Sequence, residues 1–351
     1  MASSGVVQGL PRLWYRRGLA AALWPLLPLS WLFRSLSALR RALFRCGVLR
    51  SQELLVPVIV VGNLTVGGSG KTPLVLWLVA QLRTQGWRPG IISHGYGGSV
   101  QGAHAVFAHS AAAEIGDEPL LLARRSGVPV FVGRDRVAAG QALLAAHPDC
   151  DVIVSDDGLQ HYRLRRSAEI VVFDGRGAGN RRLLPAGPLR EPLGRLAGVT
   201  AVVWNGAAER QTARAAQAVP QFAMRLQGRR FVGLTDPQRV CDADALRGKR
   251  LYAMAGIGDP ARFFAQLSAL GLEFEARPFP DHHRYSAADL AFAHDGVLLM
   301  TEKDAVKCAA IATGEAWVLP VEAELGAASG SLADPGLLET ILEKLNGRTL
   351  A

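Results

Sequence analysis

Apolar residues fall along this chain in two alternating rhythms. Short unbroken runs at 56–61, 90–93, 128–132, 152–154, 169–173 and 200–204, rich in β-branched residues, predict strands, whereas 74–83 carries apolar positions at helical spacing. Strands that alternate with helices predict an α/β fold built on a mainly parallel sheet. Segments 222–226 and 230–233 read as short extended pieces joining two lobes. A second, smaller α/β domain follows, with strands at 250–255, 297–300 and 317–321 and a helix at 261–270. The tail 322–351 reads as a loop and then a helix at 337–345. The chain therefore divides into an N-terminal helical segment at 1–50, a larger α/β domain at 51–220 and the smaller domain at 221–351.

The first segment is patterned differently. Residues 18–33 form an uncharged run of 16, about 24 Å if helical against about 30 Å of hydrocarbon, and Pro25 and Pro28 interrupt it. Such a run is too short to span a bilayer. Beyond the prolines, Leu32, Leu36, Leu39 and Leu43 form one helical stripe and Arg34, Arg41 and Arg45 the opposite one, flanked by Trp31, Phe33 and Phe44. This is the pattern of an interfacial helix on an anionic membrane surface, and also of a surface helix docked on the protein's own core. No small-residue cleavage site follows the apolar run, so a removed leader is not expected.

Composition narrows the partners. With 49% hydrophobic and 20% charged residues among 351, the chain can bury sizeable cores, which excludes a disordered or fibrous protein. The net charge is +9, but eight arginines and no acid fall within residues 1–52, leaving +1 for residues 53–351. A broad basic groove for nucleic acid is therefore not expected. Cys46, Cys150, Cys241 and Cys308 lie far apart, with no CxxC pair and no histidine at ligand spacing. They indicate neither a zinc cluster nor a disulfide scaffold, and fit a reducing cytosol.

Between the first predicted strand and the 74–83 helix lies Gly62-Asn63-Leu64-Thr65-Val66-Gly67-Gly68-Ser69-Gly70-Lys71-Thr72. Strand, glycine loop and helix follow in the order of a P-loop, so the sheet is of the P-loop type. Successive N–H groups of Thr65, Val66, Gly67, Gly68, Ser69, Gly70, Lys71 and Thr72 can converge on phosphate oxygens where side chains leave room, and the helix N-terminus adds a favourable dipole. Lys71 is placed to reach the β- and γ-phosphates and the Thr72 hydroxyl to hold Mg²⁺. The first glycine of the GxxxxGK[ST] spacing is Thr65 here. The 152–154 strand ends in Ser155-Asp156-Asp157-Gly158, where Asp156 would hold Mg²⁺ directly or through water and Asp157 would join the same cluster. By itself Asp-Asp-Gly is also an ordinary turn. Gly256-Ile257-Gly258 lacks the third glycine of a dinucleotide loop and reads as a strand-to-helix turn.

Further motifs run in order: Ser93-His94-Gly95-Tyr96-Gly97-Gly98, Gly116-Asp117-Glu118-Pro119, Gly133-Arg134-Asp135-Arg136, Leu184-Pro185-Ala186-Gly187-Pro188-Leu189-Arg190-Glu191-Pro192, Asp281-His282-His283 and Thr301-Glu302-Lys303-Asp304-Ala305-Val306-Lys307. Together with the glycine loop and the Ser155–His161 motif they span 56–307, and the chain resembles the tetraacyldisaccharide 4′-kinases of lipid A synthesis. The basic apolar N-terminus is similar to that family's membrane-associated helix. The resemblance implies ATP-dependent phosphorylation, with Mg²⁺, of the 4′-hydroxyl of a tetraacylated glucosamine disaccharide 1-phosphate, giving lipid IVA. It implies work at the cytoplasmic face of a Gram-negative inner membrane, without nucleic acid or an obligate protein partner. It also implies a catalytic pair of Asp117 with a histidine, His282 by motif position, His283 being the alternative. One departure is His94, where the family usually carries arginine.

Phosphoryl transfer requires alignment, charge neutralisation and a group to receive the hydroxyl proton. Asp117 is the candidate base, although from residues alone it also reads as the N-cap of a helix over 119–124. Arg136 and Arg190 are candidates for bidentate contact with a phosphoryl group, Glu191 for the metal's shell, Ser69 for a phosphate, and Gln160 and His161 for nucleotide or sugar. Since Asp117 belongs to the first lobe and His282 to the second, lobe closure is expected to complete the site. Two other classes stay open at this level: a P-loop ATPase or GTPase switch, and a membrane-bound nucleotide-binding scaffold without chemistry.

Overall fold

The computed structural model describes residues 12–16, 18–327 and 336–347. Among them, one sheet has nine strands in the order Glu322–Ala327, Gln221–Gln227, Ala201–Asn205, Ala168–Asp174, Val58–Gly62, Val152–Asp156, Pro89–Ser93, Val130–Val132, His104–Val106. The inner strands run parallel, and only the two edge strands are antiparallel to their neighbours. Strands buried on both faces have to be apolar throughout, which is why Val58–Gly62 and Ala168–Asp174 read as unbroken runs. One face packs against Leu74, Val75, Leu78 and Leu82 of the helix Lys71–Thr84, the other against Val137 and Leu143 of the helix Arg136–Ala146.

The second sheet orders Val240–Asp242, Arg230–Gly233, Ala316–Leu319, Val297–Thr301, Leu251–Ala255 and Glu275–Pro278. Its two faces carry separate cores, one around Phe263 and Leu267 of the helix Pro260–Ala269, the other around Leu290, Ala305 and Cys308.

Two assignments made from sequence change here. The 222–226 segment is not a connector of the smaller unit: Gln221–Gln227 is a strand of the larger sheet, parallel to Ala201–Asn205. The start of the tail is not a loop: Glu322–Ala327 pairs antiparallel with Gln221–Gln227, and Leu337, Ile341 and Leu345 of the helix Leu337–Asn346 bury themselves in the first core. The small sheet is thus an excursion between two strands of the large one. Residues 328–335 and 348–351 of the tail, and 1–11 and 17 of the N-terminal segment, lie outside the described residues.

The helix Leu27–Arg45 begins at its proline and docks through Ser30, whose hydroxyl donates to the Leu183 carbonyl at 2.8 Å, and through Phe33 against the second core. The opposite side is left uncovered: Leu32, Leu36 and Leu39 are 56–57% exposed, with Trp24, Leu29 and Trp31 beside them. Leu43 and Arg41 turn partly inward, so the outward stripe is shorter than the spacing suggests. No helix among the described residues is long and apolar enough to cross a membrane.

Candidate active site

The Val58, Val152 and Pro89 strands are neighbours, and their carboxyl ends open on one edge, where α/β sheets bind ligands. The glycine loop leaves the first of them and enters the helix Lys71–Thr84 through Gly70, whose φ of 92° favours glycine. Side contacts hold the loop. Asn63 Nδ2 donates to the Gly67 carbonyl at 3.0 Å, Val66 N to Pro188 O at 2.9 Å, and Asn205 Nδ2 to Ser69 O at 3.0 Å. Thr65 is tied into an antiparallel bridge with Leu189, an extended conformation that needs no glycine. Gly258 of the small lobe comes so close that a Cβ there would lie 2.8 Å from Gly68 N. The Gly256–Gly258 turn is a strand-to-helix turn that abuts the phosphate loop, as its position between Leu251–Ala255 and Pro260–Ala269 requires.

Asp156 and Asp157 part company at the end of their strand. Asp156 is 1% exposed; it accepts from Ser93 Oγ at 3.3 Å through one oxygen, and its Oδ1 has no hydrogen-bond partner. Burial, with Glu118 nearby, pushes its carboxyl well above the usual carboxylate range. Asp157, at φ 49°, turns toward Lys71 at 3.8 Å and Arg190, whose Nη1 lies 3.0 and 3.1 Å from its oxygens. Burial opposes its charge, but those two cations outweigh it and hold the carboxyl low. A buried carboxylate oxygen without a partner, beside Lys71 and the helix start that carries Thr72, is a donor set that fits a divalent cation.

Asp117 opens the helix Asp117–Ser126 just after Gly116, in the large lobe. His282 Nδ1 lies 3.0 and 3.1 Å from its two oxygens, and Lys307 Nζ 3.7 Å from Oδ2. Burial works against the Asp117 charge, yet the His282 hydrogen bond, Lys303 and Lys307 keep its carboxyl below the ordinary value. The same hydrogen bond raises His282. The lobes therefore already meet at the pair for which closure was expected. His283 faces elsewhere, packed on Phe279 and Tyr285 with Nε2 3.5 Å from Asp289.

Two cavities meet at the loop. One of about 290 Å³ lies between the lobes, lined by Gly70, Thr72, Asn205, Asp259 and Arg262 among others. The other, about 460 Å³, is lined by Asp157, Gln160, His161, Arg190 and His282. Gly68, Lys71 and Glu118 border both, so a chain of phosphates entering from the first would present its end to the second.

Two further candidates have protein partners of their own in this structure. Arg136 is 1% exposed, its guanidinium donating to the carbonyl oxygens of Gly133 at 2.8 Å and Asp156 at 3.0 Å, and burial pulls it down to about 10. Both terminal nitrogens of the fork are turned to carbonyls inside the protein. The His94 ring sits 3.4 Å from Arg136 Nη1; burial and then Arg136 lower its pKa, so a neutral ring covers this buried cation. Glu191 accepts from Tyr162 Oη at 2.6 Å and lies 3.6 Å from Arg195 Nε, joining a buried cluster with Glu169 and Arg166 rather than the Asp156 donors. Arg190 beside it does line the cleft.

Other residues at the site had no assigned role: Glu118, Lys303, Lys307, and Asn205 with Arg262, which donates to Asn205 Oδ1 at 2.7 Å across the lobes. A signal for the lysines was present. The chain has only five lysines beside 34 arginines, and three of them, Lys71, Lys303 and Lys307, converge here.

A parallel sheet whose glycine loop feeds a helix headed by Lys71 puts the protein among the P-loop α/β proteins. The tetraacyldisaccharide-1-P 4′-kinase family profile matches residues 22–340. The chain is 57% identical to the tetraacyldisaccharide 4′-kinase of Dechloromonas aromatica (strain RCB), over 97% of this chain and 98% of that one, and 57% identical to that of Azoarcus sp. (strain BH72), over 98% and 97%. A crystal structure of LpxK from Aquifex aeolicus in complex with ATP superposes with a TM-score of 0.76 at 30% identity, covering 92% of this chain and 99% of that one. The chain belongs to the tetraacyldisaccharide 4′-kinase family.

Proposed function

We propose that the protein carries out the reaction for which its family is named, transferring the γ-phosphoryl group of ATP to the 4′-hydroxyl of a tetraacylated glucosamine disaccharide 1-phosphate to give lipid IVA, with Asp117 as the base. The observation that carries this reading is the Asp117 carboxylate, kept ionised by His282, Lys303 and Lys307, with His282 itself lining the cavity that Lys71 borders.

ATP would lie with its base in the cavity between the lobes and its phosphates along Gly67–Lys71. Lys71 and Arg190, both already drawn to Asp157, would neutralise the transferred group. Thr72 and Asp156, with Asp157, would hold Mg²⁺, which when bound supplies charge neutralisation on the phosphate oxygens. Asp117 takes the proton as the sugar oxygen attacks, and His282 keeps the carboxylate oriented. The exposed Leu32, Leu36 and Leu39 stripe, with arginines along the same helix, would rest on an anionic membrane surface at the cytoplasmic face of the inner membrane and bring the acyl chains to the cleft.

Incubating the protein with γ-labelled ATP, Mg²⁺ and the tetraacylated disaccharide 1-phosphate tests the proposal. Label on the lipid, lost in Asp117→Ala, supports it. Release of inorganic phosphate that ignores the glycolipid would instead mark a hydrolytic switch, and ATP binding without turnover a scaffold.

A further inference from the structure

Lys303 and Lys307 stand four residues apart on the helix Glu302–Cys308, so their side chains leave the same face. That face meets the start of the helix bearing Asp117. Lys303 Nζ has three close partners: Glu118 Oε1 at 3.1 Å, Asp281 Oδ1 at 3.1 Å and His282 Nε2 at 3.3 Å. An ammonium group has three protons and no lone pair, so each partner must accept. His282 Nε2 is then the bare nitrogen. On the other side of the ring Nδ1 faces both oxygens of Asp117, which as a carboxylate can only accept, so Nδ1 carries the hydrogen.

We propose that Lys303 fixes His282 as the neutral Nδ1–H tautomer and that Lys307 fixes the carboxylate which that hydrogen meets, making the helix Glu302–Cys308 the positioning element of the Asp117–His282 pair. The catalytic importance of this arrangement rests on Asp117 being the base; the tautomer itself does not.

The helix is anchored well enough to set a hydrogen bond. Asp304, fully buried between the two lysines, accepts from Thr301 Oγ1 at 2.7 Å, Gly256 N at 3.0 Å and Tyr285 Oη at 2.9 Å, and lies 3.2 Å from Lys307 Nζ. Lys307 thereby bridges Asp304 to Asp117. Tyr285 stands three residues past His282, so the same carboxylate ties down the histidine's loop, where His282 adopts φ 58°, uncommon without glycine.

The groups facing the ring are Asp117, Lys303, Asp281, whose Oδ2 lies 3.9 Å from Nε2, and the Tyr96 ring at 5.0 Å; those facing Asp117 are His282, Lys303 and Lys307. Asp117 draws the ring toward protonation and Lys303 opposes it. A second proton on the ring would have to displace an ammonium group. In this neutral form His282 orients the base and donates to it through Nδ1.

Nitrogen NMR of the full-length protein labelled with ¹⁵N-histidine, the His282 signals assigned by their loss in His282→Gln, reads the tautomer directly. At a pH where the ring is neutral, the wild type is expected to show Nδ1 protonated and Nε2 bare; a protonated Nε2 overturns the proposal before any Lys303 variant is made. Lys303→Met should mix the tautomers and lower kcat by about 10–100-fold with KM for ATP within about threefold, while Lys303→Arg, which still donates, keeps the wild-type pattern. Histidine signals unchanged in Lys303→Met, with a raised KM for ATP, would assign that lysine to phosphate binding and defeat the inference. A shifted tautomer with undiminished kcat would overturn Lys303 as a positioning residue, whereas Asp117 as the base stands or falls on Asp117→Ala.

Discussion

The two lobes contribute different kinds of residue to one site. The large sheet supplies the groups that would meet phosphate or proton: Lys71, Asp117, Asp156, Asp157 and Arg190. The small sheet supplies groups that set the others in place: His282, Lys303 and Lys307 around Asp117, Gly258 against the phosphate loop, Arg262 on Asn205. Asp156 and Asp157 sit at a strand end, and Lys71 and Asp117 each open a helix. Their orientation comes from across the cleft, so a change in the small lobe should act on turnover through geometry and leave phosphate binding largely alone.

The hardest test of that division is Asp117→Ala, expected to lower kcat by about 10²–10⁴ while ATP affinity measured by calorimetry stays near that of the wild type. His282→Ala, on the orienting side, should cost less, about 10–100-fold in kcat, and should move the activity profile. The His282 hydrogen bond helps to depress the Asp117 carboxyl, so the active ionised form now persists to lower pH; without it that carboxyl rises and the acidic limb of a kcat–pH profile shifts to higher pH. A limb that stays put would show that His282 does not tune Asp117.

The two arginines sharpen the comparison within the large lobe. Arg190→Met should reduce kcat by about tenfold or more with little change in folding, because Arg190 faces the cleft. Arg136→Met should do the reverse, strand the carbonyls of Gly133 and Asp156, and lower the unfolding free energy by about 1–3 kcal/mol in urea titrations. The smallest effect on the chemistry is expected from replacing Leu32, Leu36 and Leu39 together with serine. Sedimentation with anionic vesicles should fall sharply while binding of MgATP is unchanged; full sedimentation would take that stripe away from the membrane.

The positioning residues were also the least legible ones. Lys71 announced itself because strand, glycines and helix are contiguous, and the phosphate loop forms from local backbone geometry. Lys303 and Lys307 lay in a motif without a role, since their partners Glu118 and Asp117 are far away along the chain. Arg136 and Glu191 are ambiguous in sequence for a related reason. A motif records that a charged residue is present and leaves open whether its head meets ligand or is consumed by carbonyls, tyrosine and arginine inside the fold.

Local spacing alone sufficed for the alternation of strands and helices, the loop at Gly67–Thr72, the acidic strand end at Asp156-Asp157 and the amphipathic helix with its outward leucines. Each of these is set by residues within a turn or two of one another, through steric and periodic rules that act along the backbone. Tertiary structure decided that Gln221–Gln227 and Glu322–Ala327 return to the large sheet, that His282 and not His283 reaches Asp117, and which of two arginines faces the cleft. Those outcomes depend on which distant surfaces bury each other and on where a desolvated charge finds its partner, and neither quantity is written in the order of neighbouring residues.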